Sequence, residues 1–241
     1  MPRALRILSV ISRWLFILCF PAMLLTAGIG IAINCQPLYE YGFDKYNVGQ
    51  TTGLEDAELQ EAASELISYF NSNEETIDIT VTRYGQPFVL FSEKEVAHLS
   101  DVKSLIRLDY WVLLWTSVYA LLYTGINLFW RKKEYHKRLA KEVIYGGGFT
   151  IGVMLLLGLM ALIDFDWFFL QFHLISFTND MWQLDPARDY LIMLFPQGFW
   201  FDATIFCALL TLGFALLLGG IAGGYLFIKR RKAKSQLNSL E

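Results

Sequence analysis

The sequence predicts an α-helical polytopic membrane protein with four transmembrane helices and a small α/β extracytoplasmic cap. The 241-residue chain is 55% hydrophobic and 16% aromatic, which is more apolar than a soluble domain. Charged residues are also unevenly distributed between the segments that connect its apolar stretches. Each apolar stretch has about the length of a helix that crosses a ~30 Å hydrocarbon core. Four such stretches contain no charged residue: Trp14–Cys35, Trp111–Trp130, Tyr145–Ile163 and Ala203–Ile228.

Basic residues accumulate on one side of the predicted membrane. The N-terminal arm, the loop after the second stretch and the C-terminal tail hold three, six and five of the 20 Lys and Arg residues. Because cytoplasmic segments of membrane proteins are enriched in Lys and Arg, we expect both termini in the cytoplasm. The basic segments are expected to lie against anionic membrane lipids. A net charge of −3 gives no reason to expect a nucleic-acid partner.

These features divide the chain into eight segments. Residues 1–34 form a cytoplasmic arm and the first transmembrane helix, which is too long for a signal peptide and lacks a cleavage site, so we expect it to remain as an anchor. The boundaries of the other seven segments follow from where the uncharged stretches begin and end. We expect transmembrane helices at 111–130, 145–163 and 203–228, a cytoplasmic loop and tail at 131–144 and 229–241, and extracytoplasmic segments at 35–110 and 164–202.

The first extracytoplasmic segment begins with two contrasting stretches. Residues 36–53 are rich in glycine, tyrosine and polar residues, and we expect an irregular loop. Residues 54–72 predict an amphipathic helix, because their apolar side chains recur on one helical face. That face consists of Leu59, Ala62, Ala63, Leu66, Ile67 and Phe70.

The rest of this segment predicts strands and a second helix. Two short strands are expected at 77–82 and 88–91, with a turn in RYGQP between them. Ser92 and Glu95 then form a capping-box pattern, which is typical of a helix start. This helix is expected to run almost directly into the second transmembrane helix, so that the segment forms a cap of mixed structure.

The second extracytoplasmic segment combines aromatic and acidic residues. Eight aromatics and five carboxylates lie between Asp164 and Leu191. Since Trp and Tyr favour the membrane–water boundary, we expect an interfacial loop here. Asp185-Pro186 is typical of a turn. Arg188 is expected to pair with a nearby Asp, or alternatively to contact an anionic lipid or a substrate carbonyl.

Two of the three histidines belong to the extracytoplasmic segments. His98 and Asp101 are three residues apart and share one face of the predicted helix. His173 lies in the aromatic segment, before Asp180. If the two segments pack together, the imidazoles can form a general acid/base pair. The alternative is that each is a solvated or interfacial residue without chemistry, as we expect for His136 in the basic loop.

The segments HLSDVK at 98–103, FHLISFTNDMWQLDP at 172–186 and LIMLFPQGFW at 191–200 together resemble the bacterial lipoprotein intramolecular transacylase family. The resemblance covers nearly the whole chain, in order and with similar topology. Its specificity rests on the two histidine motifs, because apolar helices alone match many families.

The resemblance implies a multi-pass protein of the bacterial cell membrane with its active site at the outer leaflet. It implies transfer of the sn-2 acyl chain of a diacylglyceryl-cysteine lipoprotein to the α-amine of the same cysteine, which gives the lyso-form lipoprotein. His98 and His173 carry over as the catalytic residues. No cofactor and no soluble acyl donor is expected, because donor and acceptor belong to one molecule. The expected partners are the diacylated lipoprotein and membrane lipids.

The chemistry of acyl transfer predicts supporting roles for neighbouring residues. Asp101 and Asp180 are predicted to orient the two histidines. Asn179 and the indole N–H of Trp182 are predicted to stabilise the oxyanion of the tetrahedral intermediate. The residues predicted to contact the substrate are Trp167, Phe172, Asp185 and Arg188.

Two other functions compete with acyl transfer. One is a non-enzymatic membrane sensor or scaffold whose acidic cap binds envelope ligands or partner proteins. The other is a zinc-dependent membrane hydrolase, since two histidines and an aspartate are suitable zinc ligands. The chain contains no HExxH or HxxxH spacing, so we predict no metal site.

Overall fold

The computed structural model describes residues 3–130 and 133–238, most of which are helical. Predictions that fall on residues 1–2, 131–132 and 239–241, at the ends of the predicted arm, loop and tail, lie outside the described residues. In the described part, four helices are long and apolar enough to cross a membrane. They are Arg6–Ile33, Glu93–Trp130, Tyr135–Ile163 and Gln197–Gln236. The prediction of a helical protein with four membrane-spanning helices is confirmed.

Helices and one strand pair follow each other along the chain. The helices are α1 (Arg3–Ile33), α2 (Gln36–Lys45), α3 (Val48–Thr52), α4 (Asp56–Asn71), α5 (Glu93–Gly125), α6 (Lys133–Ile163), α7 (Phe165–Ser176), α8 (Tyr190–Leu194) and α9 (Gln197–Asn238). The strands are β1 (Thr80–Arg83) and β2 (Gln86–Val89), and α5 continues into a π-helical turn at Ile126–Trp130.

The chain divides into two compact units. The first, here called the helical unit, comprises Met1–Gly28, Trp111–Gly158 and Ala208–Glu241. The second, here called the site unit, comprises Ile29–Tyr110 and Leu159–Cys207. The site unit therefore contains the whole of the two segments that we predicted to be extracytoplasmic, with both of their histidines.

A buried carboxylate joins three helices of the helical unit. Glu142 of α6 is 1% exposed. Its Oε1 atom lies 3.3 Å from Nε of Arg13 and 3.0 Å from Nε of Arg138, and Tyr123 Oη donates to Oε2 at 2.8 Å. Leucines elsewhere on these helices face outward, as expected where the surrounding solvent is lipid.

The first part of the site unit is more helical than the sequence predicts. The expected amphipathic helix is α4, and five residues of its predicted apolar face are buried. The expected irregular loop at 36–53 is wrong, because it contains α2 and α3. Tyr39 and Phe43, four residues apart on α2, are buried in the core of the unit. Burial of these aromatics outweighs the low helix propensity of their glycine-rich surroundings.

The predicted strand pair is present, but with a shorter turn. Arg83 pairs with Gln86, so that only Tyr84 and Gly85 form the connection. Both residues have positive φ, 51° and 77°. This backbone conformation matches the twist of paired strands and lets pairing begin directly beside the turn. The strands therefore lie closer to the turn than the expected ranges 77–82 and 88–91.

The segment predicted as an interfacial loop at 164–202 is largely helical. It contains α7 and α8, and α9 begins at Gln197 rather than 203. Asp164 caps α7 by accepting a hydrogen bond from the Trp167 N–H at 2.9 Å. This helix was missed because its aromatic sequence gives no clear amphipathic period, whereas the cap and packing against the unit stabilise it.

Close packing of α2 against α9 depends on Gly42. A Cβ atom added there would lie 2.4 Å from Cδ2 of Phe199, a ring that is 3% exposed. We expect Gly42→Ala to destabilise the protein by about 1–2 kcal/mol, because overpacking outweighs the gain in helix propensity. Thermal unfolding in detergent measures this. Gly152→Ala is the control, since its Cβ would meet no described atom within 4 Å; an equal effect of both changes would contradict the packing argument.

Candidate active site

His98 is positioned by the start of α5. Glu95 accepts hydrogen bonds from both the N–H and the hydroxyl of Ser92, at 2.8 and 2.7 Å, which confirms the predicted capping box. His98 follows one turn later and is only 7% exposed. Its Nδ1 atom is buried and has no hydrogen-bond partner within the described residues. A buried imidazole nitrogen without a partner is unusual, and a catalytic role is one explanation for it.

His173 lies in the last turn of α7 and is also 7% exposed. Its Nδ1 is 2.8 Å from the carbonyl oxygen of Phe169, four residues earlier. Because a carbonyl only accepts, Nδ1 must carry the proton, and in the neutral ring Nε2 has the free lone pair. Burial lowers the pKa of His173, and the Phe169 hydrogen bond opposes part of this shift. The ring is therefore neutral near pH 7 and can accept a proton at Nε2.

The two imidazoles lie close together in an aromatic pocket. Their ring centroids are 6.1 Å apart. The Phe177 ring contacts both, at 5.1 Å from His98 and 5.6 Å from His173. The rings of Phe169 and Trp182 lie 4.3 and 4.9 Å from His173. Aromatic walls exclude water, which strengthens electrostatic interactions inside the pocket.

The predicted orienting carboxylates have other partners. Asp101 Oδ2 accepts from the side-chain amide of Asn179 at 2.8 Å. Asp180 accepts from the side chain of Gln183, also at 2.8 Å. The Phe169 carbonyl, rather than Asp180, therefore orients His173, and within the described residues no hydrogen bond joins Nδ1 of His98 to Asp101. Burial and His173 lower the pKa of His98 to about 4, and the Asp101 carboxylate opposes part of this shift.

A groove of about 260 Å³ is lined in part by Phe177, whose ring contacts both histidines. Asp101, Ser104, Leu105 and Leu108, which recur along one face of α5, form one wall. Residues 176–179, which comprise the last residue of α7 and the three that follow it, form the other. The wall residues change from polar to apolar along α5, as an amphipathic ligand requires.

The family model that describes the lipoprotein intramolecular transacylase Lit matches residues 14–200. This chain belongs to the Lit family. Members of the family are acyltransferases that act on lipoproteins, and the resemblance noted in the histidine motifs is confirmed.

Solved Lit structures share this fold. The chain is similar to Lit of Bacillus cereus, with a TM-score of 0.78 and 23% identity over 93% of this chain and 98% of that chain. A variant of the Bacillus cereus protein, with a histidine replaced by alanine, matches with a TM-score of 0.74 and 22% identity over 93% and 96% of the two chains. An uncharacterized protein of Aquifex aeolicus is 25% identical over 212 residues, which cover 87% of this chain and 93% of that protein.

The four residues predicted to contact substrate have different surroundings in this structure. The Phe172 ring meets His173 edge-on, with centroids 5.3 Å apart. Trp167 takes part in capping α7 and is 47% exposed. Arg188 pairs with Asp185 at 2.9 Å, which confirms the expected pairing. The Ala187 N–H and Arg188 lower the pKa of Asp185. This exposed pair shapes the turn that precedes α8.

Sequence reasoning missed two groups that shape the Lit site. The Phe169 carbonyl determines the tautomer of His173, and the spacing of four residues on a helix was the available signal. Glu95 was expected only as a cap, yet it also accepts from the Leu191 N–H at 2.6 Å. Nothing in the sequence links positions 96 residues apart. Within the described residues, no three His, Cys, Asp or Glu side chains converge on a possible metal position.

Proposed function

We propose that this protein moves the sn-2 acyl chain of a diacylglyceryl-cysteine lipoprotein to the α-amine of the same cysteine. The observation that carries the proposal is the pair of buried imidazoles, with ring centroids 6.1 Å apart, beside a groove with one polar and one apolar part. Family membership supplies the reaction class, and the pair supplies groups that can exchange protons with an amine and an alcohol.

The proposed reaction is an isomerisation. The amine nitrogen forms a bond to the ester carbonyl carbon, and the bond from that carbon to the glycerol oxygen breaks. The α-ammonium first releases one proton to solvent, which gives the nucleophilic free amine that is isomerised. After attack the nitrogen loses a second proton, and the departing glycerol oxygen gains one. Because donor and acceptor belong to one molecule, no soluble acyl donor or cofactor takes part, and proximity supplies a high effective concentration.

His173 acts as the general base in this proposal. Its Nε2 has the lone pair, since Nδ1 donates to the Phe169 carbonyl. His98 exchanges protons with the glycerol oxygen in this proposal. Its buried Nδ1 has no hydrogen-bond partner within the described residues, and the substrate would supply one. Because two positive charges this close repel each other, the two buried rings are not both protonated at the same time. In the proposal, one proton therefore moves between the base His173 and the acid His98.

The tetrahedral intermediate needs hydrogen-bond donors for its oxyanion. The Asn179 amide has two N–H bonds, of which one goes to Asp101, and the other is available to the substrate. The Trp182 indole stacks near His173 and carries an N–H donor. In the proposal these two donors face the oxyanion, while Phe172 and the apolar part of the groove hold the acyl chain.

We place the site at the outer leaflet of the bacterial cell membrane, with both termini in the cytoplasm. The distribution of basic residues supports this orientation, because the segments that it places in the cytoplasm carry 14 of the 20 Lys and Arg residues. The ester of a diacylated lipoprotein lies at the same depth. Diacylated lipoprotein and membrane lipids are thus the proposed partners. The proposal includes no nucleic-acid partner and no soluble acyl donor.

Mass spectrometry of a reporter lipoprotein tests the reaction. Because the two forms have the same mass, the N-terminal lipopeptide must be fragmented to locate the acyl chain. We expect the amide-linked acyl group only in cells that express this protein. Mild alkali supplies the second readout, since it removes ester-linked chains and leaves an amide-linked chain in place. An unchanged N-terminus in the presence of abundant, membrane-inserted protein would refute the proposed function.

A further inference from the structure

We propose that Asp101 binds the α-ammonium group of the substrate's N-terminal cysteine at the polar part of the groove. This inference rests on the proposed function. It names the residue that binds the amine, which is one of the two reacting groups. It adds to the predicted role of Asp101 as a partner of His98. The groove and the hydrogen bonds of the surrounding side chains carry the argument.

Asp101 has an available oxygen next to the histidine pair. Its side chain lines the groove and is partly exposed there. Oδ2 accepts from Asn179 at 2.8 Å, while Oδ1 has no hydrogen bond from a side chain or backbone within the described residues. Asp101 lies three residues after His98, so both side chains project from one face of α5. An amine bound at Oδ1 is therefore held beside the imidazoles.

Within the described residues, no lysine or arginine pairs with this carboxylate. Asp101 is the charged residue among the side chains that line the groove. Neighbouring basic side chains of α5 point to other partners: Lys103 Nζ donates to Ser72 and Glu74, and Arg107 donates to the Ser72 carbonyl. Within residues 3–130 and 133–238, no ion pair involves Asp101. A partly buried carboxylate in this state favours a cationic ligand.

The substrate brings one cation, and the reaction removes it. An α-amine has a reference pKa near 8, so it is largely an ammonium group at neutral pH. After transfer the nitrogen is a neutral amide and no longer attracts a carboxylate. Asp101 therefore favours substrate over product, which assists release of the lyso-form and excludes lipoproteins that are already N-acylated.

A purely structural role for Asp101 makes a different prediction. The Asp101–Asn179 hydrogen bond joins α5 to the segment after α7, and this tether needs an acceptor rather than a charge. Asp101→Asn keeps an acceptor oxygen for Asn179 and removes the charge. Asp101→Glu keeps the charge. The preference of the protein for a charged over a neutral ligand therefore separates the amine-binding role from the structural role. A hydrogen bond that only joins two segments does not respond to the charge of the ligand.

The experiment measures binding without turnover. The probes are synthetic dialkylglyceryl-cysteinyl peptides whose ether bonds cannot transfer an acyl chain, with a free, N-methylated or N-acetylated amine. N-methylation retains the positive charge and acts as the steric control. We expect the protein in nanodiscs to bind the two charged peptides about 10-fold more tightly than the acetylated one. Asp101→Asn should abolish this preference, while Asp101→Glu should retain most of it.

Glu93→Gln is the matched control, since it removes one exposed carboxylate from the same helix and should leave the preference unchanged. Equal binding of all three peptides by the unsubstituted protein, or a preference that survives Asp101→Asn, overturns the inference. The ether peptides report the amine site even if no lyso-form is made. Conversely, lyso-form production without any charge preference leaves the proposed function standing and removes only the role of Asp101.

Discussion

Replacing His173 by alanine is expected to abolish formation of the lyso-form lipoprotein. The substitution removes Nε2, which is the proposed general base, and such groups contribute about 10²- to 10⁴-fold to a rate. We expect the same loss for His98→Ala, because the two rings lie with centroids 6.1 Å apart and act as a unit. The double variant should then be no slower than either single variant. Fragment-resolved mass spectrometry of the reporter N-terminus provides the measurement.

The third histidine is the matched control for both changes. His136 lies in the helical unit, where Nε2 is 3.0 Å from the Leu128 carbonyl. His136→Ala should leave product formation unchanged. Each variant is also checked for thermal unfolding, because removing a buried ring leaves a cavity. Normal product yield from folded His98→Ala and His173→Ala would show that the histidine pair carries no chemistry.

Replacing Glu95 by alanine is expected to cause the largest loss of stability in the site unit, about 2–4 kcal/mol. This carboxylate caps two helices at once. It accepts from Ser92 at the start of α5 and from the Leu191 N–H in the first turn of α8. Asp189, at the N-cap position of α8, makes no side-chain cap, since it accepts from the Asp185 N–H instead. Alanine would leave the Leu191 donor buried without a partner.

Thermal unfolding in detergent compares Glu95→Ala with two milder changes. Glu95→Gln retains one acceptor oxygen and should lose less stability than alanine. Glu93→Ala removes an exposed first-turn carboxylate, and we expect a loss of about 0.3–1 kcal/mol. A Glu95→Ala protein as stable as Glu93→Ala would mean that water replaces the carboxylate, contrary to its 1% exposure.

The accuracy of the sequence predictions depended on how local the physical signal was. The membrane-spanning helices follow from long uncharged runs, and α4 follows from a clear apolar period. The capping box of Ser92 and Glu95 follows from a spacing of three residues. By contrast, α2 and α7 depend on the burial of aromatic side chains. Composition alone predicted an irregular loop for the first of these segments and an interfacial loop for the second. Their helical state is a consequence of packing within the site unit.

The site residues divide in the same way. Histidine type and position in the chain indicated which side chains can exchange protons, and the motifs indicated the family. The partners of those side chains were not predictable. Asp101 shares a helical face with His98 but bonds to Asn179, and Asp180 bonds to Gln183 rather than to His173. A carboxylate close in sequence is not the nearest acceptor once helices pack and backbone carbonyls compete for the same donors.

The sequence by itself determined the membrane-spanning helices, the family and the candidate residues for acid–base chemistry, because hydropathy, charge and residue type are local properties. Only the tertiary structure decided that His98 and His173 lie side by side, although 75 positions separate them in the chain. It also decided that the Phe169 carbonyl selects the tautomer of His173, and that Asp101 lines a groove in which the described lining residues include no lysine or arginine. These properties depend on distances between segments that are remote in sequence, and packing of the site unit determines those distances.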